Sequence, residues 1–94
     1  MNKFLVLFHL TRAEQTDAQW AAFISALNKG GHLIGGSALA KPSAIKLREN
    51  TIPKSKTVGG YMVLTDKNEA KVRSLVKLSP SHANGGLVEI FHLI

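Results

Sequence analysis

The 94-residue sequence predicts one α+β domain, in which an antiparallel sheet of four strands carries two helices on one face. Two observations predict this class. The hydrophobic residues change along the chain from the short runs typical of strands to the spacing of three and four typical of helices, and back again. The eight glycines occur in four pairs along the chain, and glycine marks turns, helix ends and places where two backbones approach closely. A chain of this length has room for one hydrophobic core.

The first strand and the first helix have the clearest patterns. Residues 4–8 are a continuous apolar run, as in a strand that is buried on both faces. Thr16 and Gln19 have the spacing of a capping box, which begins a helix. Gly30 is expected to end this helix in the left-handed conformation. Four residues at helical spacing predict its buried face: Trp20, Phe23, Ile24 and Leu27.

The remaining strands are predicted from shorter patterns. Residues 33–39 surround a glycine pair and are expected to form a strand with a bulge. Residues 61–64 predict another buried strand, and residues 87–94 predict the last one. A further short strand is expected at residues 44–48, within the polar middle of the chain.

The second helix lies between the last two long strands. Asp66 and Glu69 are suited to its first turn, and Pro80 prevents its continuation. Its core positions are Val72, Leu75 and Val76. The resulting order, strand–helix–strand–strand–helix–strand, is the split βαβ arrangement of the ferredoxin-like sandwich.

The second face of the sheet predicts a partner. Both helices of this arrangement cover the same face, yet residues 4–8 and 61–64 are apolar on both faces, and residues 87–94 nearly so. Ninety-four residues provide no third layer, so a second copy of the chain is the simplest cover. We therefore expect a homodimer whose sheets pack face to face. The alternative is a monomer with a ligand cleft on that face.

Three glycine-containing segments carry a family resemblance. A strand contains the pair Gly35-Gly36, a second pair, Gly59-Gly60, precedes an aromatic strand, and Pro80 is followed by a third pair, Gly85-Gly86, and by Glu89. In their order and spacing these segments resemble the YCII-related (DGPF-type) family. The resemblance implies a ferredoxin-like fold that pairs into a dimeric α/β barrel. It also implies a small pocket between helices and sheet, in which related members handle small organic molecules.

One departure from the family limits what the resemblance implies. The Asp-Gly-Pro-Phe segment that names the DGPF members does not occur at residues 48–57. No catalytic acid is therefore carried over from it. The alternative function is a non-catalytic dimeric binding or accessory module.

His82 is the first candidate for catalysis. It follows Pro80 in a predicted turn, where an imidazole that takes and gives a proton can reach the mouth of a cavity. Members of the family often carry a histidine directly after this proline, whereas here Ser81 takes that place and His82 follows. We predict that His82 is the base of a cofactor-free proton transfer, an elimination or an isomerisation. The alternative is a loop imidazole bonded to a backbone carbonyl.

Three other residues are candidates for substrate binding. Tyr61 follows a glycine pair that permits the close approach of a ligand, and its hydroxyl or the Arg48 guanidinium could stabilise an anion. His9, at the end of the first strand, could project into the same cavity. Each residue also has a purely structural alternative. Tyr61 could belong to the core, Arg48 could be solvated, and His9 could mark where the strand reaches water.

The other titratable residues give weaker signals. Glu89 interrupts an apolar row of the last strand, so it lies either at an exposed edge or in a polar pocket. His32 is expected to be exposed in a turn, and His92 to lie in the dimer seam. No two histidines have the spacing of metal ligands, so neither a metal nor another cofactor is expected.

The net charge of +6 suits an anionic partner. Five cations lie within residues 41–56, opposed by Glu49: Lys41, Lys46, Arg48, Lys54 and Lys56. They predict either a rim for a small anionic or polar organic ligand or a solvated edge that blocks aggregation. No aromatic residue stands among them, which disfavours nucleic acid. No apolar run has the length of a membrane span, and with no cysteine in the chain we expect a cytoplasmic protein.

Overall fold

The sheet of the computed structural model has the strand order β2-β3-β1-β4, with every neighbouring pair antiparallel. Residues 2–12, 15–40, 45, 47–52 and 57–94 are described. The elements are β1 (Asn2–His9), α1 (Asp17–Lys29), β2 (Leu33–Ala38), β3 (Val58–Asp66), α2 (Glu69–Val76), α3 (Pro80–Ala83) and β4 (Val88–His92). Helices pack on one face of this sheet, which confirms the predicted ferredoxin-like α+β class.

The two faces of β1 have different environments. Phe4, Val6 and Phe8 are buried beneath the helices, whereas Leu5 and Leu7 point to the opposite face and are half-buried in the single chain. This alternation follows from the two-residue period of a strand. The remaining buried core residues are Phe23, Leu27, Met62, Leu64, Val72 and Val76.

The first helix begins as predicted and ends one residue later than predicted. The Gln19 backbone N–H donates to Thr16 Oγ1 at 3.1 Å, and the Thr16 N–H donates to Gln19 Oε1 at 2.9 Å, which confirms the capping box. Gly30 is right-handed, with φ of −82°, and its N–H still bonds the carbonyl of Ala26. The left-handed residue is Gly31, with φ of 71°, so the prediction for Gly30 was wrong.

A short helix follows the second helix. Asn68 caps α2 by accepting from the Ala70 N–H at 2.8 Å, and α2 ends at Val76. Pro80 then begins α3, where sequence analysis predicted only a turn. Proline suits the first helical position because its missing N–H would have no helical acceptor there.

Part of the polar middle lies outside the described residues. This holds for Lys41, Lys46, Lys54 and Lys56 and for most of the strand predicted at residues 44–48. Residues 47–50 form bends and a turn, in which the Thr51 N–H donates to the Arg48 carbonyl at 3.3 Å. In the described ranges, no helix combines the length and the apolar character needed to cross a membrane.

Candidate functional site

A cavity of about 730 Å³ lies where β1, β2 and β3 meet α1. This volume is within the range of small-molecule sites. Its apolar wall includes Phe8, Trp20 and Met62, and the rings of Phe8 and Trp20 meet edge to face at 5.2 Å. His9 and Tyr61 also line the cavity. The cavity can therefore hold a ring or another apolar group beside these two residues.

Two glycine pairs line this cavity, as their predicted role in close backbone approach requires. A side chain at Gly36 would place Cβ 2.5 Å from the carbonyl oxygen of Tyr61, so only glycine fits beside β3. At Gly35 the corresponding Cβ position has no atom within 4 Å. The missing side chain of Gly36 thus permits β2 to pair closely with β3, whereas the space beside Gly35 is unoccupied by protein atoms.

A bulge in the sheet places His9 in the cavity wall. The register of β1 and β3 shifts between Phe8 and His9, and His9 pairs with Val58. Such irregularities re-aim a side chain at the end of a strand. The His9 N–H donates to the Leu87 carbonyl at 3.1 Å, and the Leu10 N–H donates to the Thr57 carbonyl at 2.7 Å. The backbone around His9 is therefore fixed from both neighbouring strands.

Both ring nitrogens of His9 are hydrogen-bonded. Nε2 lies 2.6 Å from Glu89 Oε1, and Nδ1 lies 2.7 Å from Thr57 Oγ1. An ionised carboxylate only accepts hydrogen bonds, so Nε2 donates to Glu89. In the neutral imidazole Nδ1 is then the acceptor for the Thr57 hydroxyl. Glu89 thereby fixes the orientation of the ring and the nitrogen that can take a proton.

The sequence did not decide whether Glu89 lies at an exposed edge or in a polar pocket, and the structure places its carboxylate against His9. Glu89 on β4 pairs with Leu7 on β1, and Leu7 lies two residues before His9. In the sequence, Glu89 is a charged residue within an apolar row of the last strand. This pattern indicated a polar environment for Glu89, but it did not identify His9 as the partner, because His9 lies 80 positions away.

The structure brings together two of the four predicted site residues. His9 and Tyr61 line the cavity, and Arg48 is exposed in the turn at residues 47–50, outside the described lining. His82 is exposed on α3, with Nδ1 3.2 Å from the Lys77 carbonyl oxygen, while its neighbour Ser81 lines the cavity. The catalytic role of His82 stays a prediction.

His32 differs from the exposed turn residue that was expected. Its side chain is mostly buried, with Nδ1 3.1 Å from Asp66 Oδ2. Asp66 ends β3 and does not lie in the first turn of α2. A Cβ at Gly30 would lie 2.5 Å from Cδ2 of His32, so the missing side chain of Gly30 makes room for the imidazole.

His92 lies on the helix-covered face, where it pairs with Phe4 and contacts its ring at 4.8 Å. This placement corrects the expectation that His92 lies in a seam on the opposite face. Its imidazole bonds Glu69 in the first turn of α2. The hydrogen bond from His92, followed by the charge of Arg73, holds the pKa of Glu69 below its ordinary value.

In the part of the chain that is described, no three histidine, cysteine, aspartate or glutamate residues form a group that could hold a metal ion. The polar groups that meet at this end of β1 are the imidazole of His9, which lines the cavity, its carboxylate partner Glu89 and the hydroxyl of Thr57. These groups can bind polar ligand atoms and move protons.

The fold and the cavity define a small ferredoxin-like domain in which an imidazole of the cavity lining is hydrogen-bonded to a carboxylate. No protein-family model and no curated protein sequence matches the chain. A solved structure with a similar fold is 5-chloro-2-hydroxyhydroquinone dehydrochlorinase (TftG) from Burkholderia phenoliruptrix AC1100, in complex with 2,5-dihydroxybenzoquinone. The TM-score is 0.55 at 15% sequence identity, covering 98% of this chain and 93% of that one. At this identity the likeness shows the fold alone.

Proposed function

We propose that the protein binds a small polar organic molecule in the cavity and that His9 exchanges a proton with it. The reaction class is a cofactor-free elimination or isomerisation. The observation that carries the proposal is that His9, which lines a largely apolar cavity, is hydrogen-bonded to the Glu89 carboxylate at 2.6 Å. His9 takes precedence over His82 here because His9 lines the cavity and is 12% exposed, whereas His82 faces solvent.

The hydrogen bonds of His9 indicate how the proton would move. Nδ1 accepts from the hydroxyl of Thr57, an exposed residue whose side chain can rotate away. An acidic group of the ligand in that place would transfer its proton to Nδ1. The resulting imidazolium would lie next to the Glu89 carboxylate, which stabilises the positive charge. Tyr61 pairs with Leu7, so its hydroxyl points to the second face of the sheet and has no part in this proton transfer.

The charge of the described wall bears on the ligand. The described lining contains no lysine or arginine, and it includes Asp17. This favours a neutral polar ligand over an anion at this part of the wall. The structural neighbour was solved with a ring compound that carries hydroxyl and carbonyl oxygens, which supports a polar ring as the class of ligand to test first.

The second candidate function is a binding module without catalysis. Its support is that both nitrogens of His9 already have partners within the protein. Binding without proton exchange would distinguish this function from the first.

Binding and proton exchange can be measured separately. Trp20 is the only tryptophan of the chain, and its indole N–H donates to Gln15 Oε1 in the cavity wall. We expect hydroquinone or 2,5-dihydroxybenzoquinone to shift the Trp20 indole NMR signal. We also expect the protein to accelerate deuterium incorporation at ring C–H positions of the bound compound in D2O. His9→Gln should retain binding and slow this exchange by about 100-fold, the scale of general acid–base catalysis.

His82→Gln is the matched control and should change neither signal. Exchange that survives His9→Gln and is lost in His82→Gln would return the catalytic role to His82. An indole signal unmoved by either compound at millimolar concentration would contradict binding of this ligand class. Binding without accelerated exchange would support the non-catalytic module.

We also propose that the second sheet face forms a homodimer. Side chains on this face include Leu5, Leu7, Tyr61, Val63 and Phe91. Tyr61 is 37% exposed and Phe91 46% exposed in the single chain. A contiguous apolar face of this kind favours association with another molecule, and two-fold dimers are the commonest oligomers.

Phe91→Asp is expected to convert the dimer to a monomer, because it would place a charge in the apolar interface. Sedimentation at micromolar concentration measures the mass. Leu78→Asp is the control, since Leu78 is 70% exposed in the turn that follows α2 and should leave the mass unchanged. A wild-type protein that sediments as a monomer would refute the dimer.

A further inference from the structure

Thr57, His9 and Glu89 form a continuous chain of hydroxyl, imidazole and carboxylate groups. We propose that Thr57 is an activated nucleophile that accepts acyl groups from small activated esters. This activity uses the His9–Glu89 pair of the proposed function and requires no ligand in the cavity. It goes beyond proton exchange because it forms a covalent bond to the protein.

The protonation pattern suits nucleophilic activation. Glu89 Oε1 lies 2.6 Å from His9 Nε2 and accepts a hydrogen bond from it, so His9 Nδ1 accepts from the Thr57 hydroxyl at 2.7 Å. A hydroxyl is a weak nucleophile until an adjacent base takes its proton, and a third group that orients the base completes the arrangement. The same order of groups activates the serine of hydrolases on unrelated folds.

Thr57 and His9 differ in their exposure to solvent. The His9 side chain is mostly shielded from solvent, whereas Thr57 is exposed directly before β3. The carbonyl of Thr57 accepts from the Leu10 N–H at 2.7 Å, which holds Thr57 beside the end of β1. An ester in solution can therefore reach the hydroxyl while His9 stays in place.

Two other threonines provide a comparison within the chain. The Thr51 hydroxyl donates to the Arg48 carbonyl at 2.6 Å, and the Thr65 hydroxyl donates to the Asn2 carbonyl at 3.0 Å. A backbone carbonyl cannot take the proton. The hydroxyl of Thr57 is hydrogen-bonded to a base, so acylation should favour Thr57 over Thr51 and Thr65.

The acyl transfer step is balanced in atoms and charge. Thr57 Oγ1 forms a bond to the ester carbonyl carbon while its proton moves to His9 Nδ1. The bond between that carbon and the leaving oxygen then breaks, and the leaving alcohol or phenol takes the proton from His9. The products are an ester on Thr57 and a free alcohol. Water can later attack the new ester, with His9 again taking a proton.

The test uses the whole 94-residue chain and p-nitrophenyl acetate. We expect release of p-nitrophenol together with an acetyl group that peptide mass spectrometry assigns to Thr57. Thr57→Val should remove the adduct, Thr57→Ser should retain it, and His9→Gln should slow its formation by about 100-fold. Thr65→Val is the control and should behave as the wild type does.

The proposal is overturned if acetyl groups appear on lysines or on His9 and not on Thr57. It is also overturned if Thr57→Val releases p-nitrophenol at the wild-type rate. The adduct map of the wild type decides the question even if a variant fails to fold. Failure here would leave the Trp20 signal and the deuterium exchange of the proposed function unaffected, so the two proposals can fail separately.

Discussion

Phe8→Ala is expected to lower the free energy of unfolding by about 3–5 kcal/mol, the cost of removing a buried phenylalanine. Phe8 is 4% exposed, and its ring meets those of Trp20 and Phe23 edge to face at 5.2 and 6.4 Å. The substitution removes these contacts and leaves a hole that the sheet cannot close. Because the free energy of unfolding of small domains is only about 5–15 kcal/mol, the variant should lose much of its stability.

Denaturant unfolding followed by Trp20 fluorescence measures this loss. Leu78→Ala is the control, because an exposed leucine away from the core should change stability by no more than about 0.5 kcal/mol. Equal stabilities of the two variants would show that the Phe8 ring is not packed as described.

The neighbouring glycines Gly35 and Gly36 should respond to alanine in opposite ways. At Gly36 the new Cβ would lie 2.5 Å from the Tyr61 carbonyl oxygen and 3.0 Å from the Met62 Cα, and both of these are backbone atoms. β2 and β3 must separate to admit it, at an expected cost of about 1–3 kcal/mol. Gly35→Ala meets no atom within 4 Å and should keep or slightly raise stability, because glycine weakens a strand.

The Gly35→Ala substitution should also weaken ligand binding. Gly35 lines the cavity, so a methyl group there occupies ligand space, and we expect affinity for hydroquinone to fall by about tenfold, in line with the effect of one methyl-sized group on a pocket. Thermal unfolding and titration of the Trp20 indole signal measure the two quantities. A Gly35→Ala variant that loses stability, or a Gly36→Ala variant that does not, would contradict the described pairing of β2 and β3.

Features set by neighbouring residues were predictable from the sequence. The Thr16–Gln19 capping box and the buried face of α1 depend on spacings of three and four residues, and both occur as expected apart from Ile24, which is partly exposed and lines the cavity. The end of α1 was misplaced by one position. Either glycine of the pair can adopt a positive φ, and the additional Gly30 bond to Ala26 decides between them.

The candidate site was harder to predict because it depends on strand register. His9, Thr57 and Glu89 come from three strand ends, and the bulge after Phe8 leaves no pattern in the sequence that locates it. The position of His82 after Pro80 predicts a turn that would carry the imidazole to the mouth of a cavity. The proline begins a helical turn, and this turn directs the His82 ring to the Lys77 carbonyl.

The alternation of side chains along β1 has a consequence for how this protein can change. Even-numbered residues of the strand, Phe4, Val6 and Phe8, are buried in the core, whereas odd-numbered residues, Leu7 and His9 among them, are only half-buried. Substitutions of the odd set are therefore expected to cost less stability than substitutions of the even set. One eight-residue segment thus separates the residues on which folding depends most from those on which the proposed dimer and proton exchange depend.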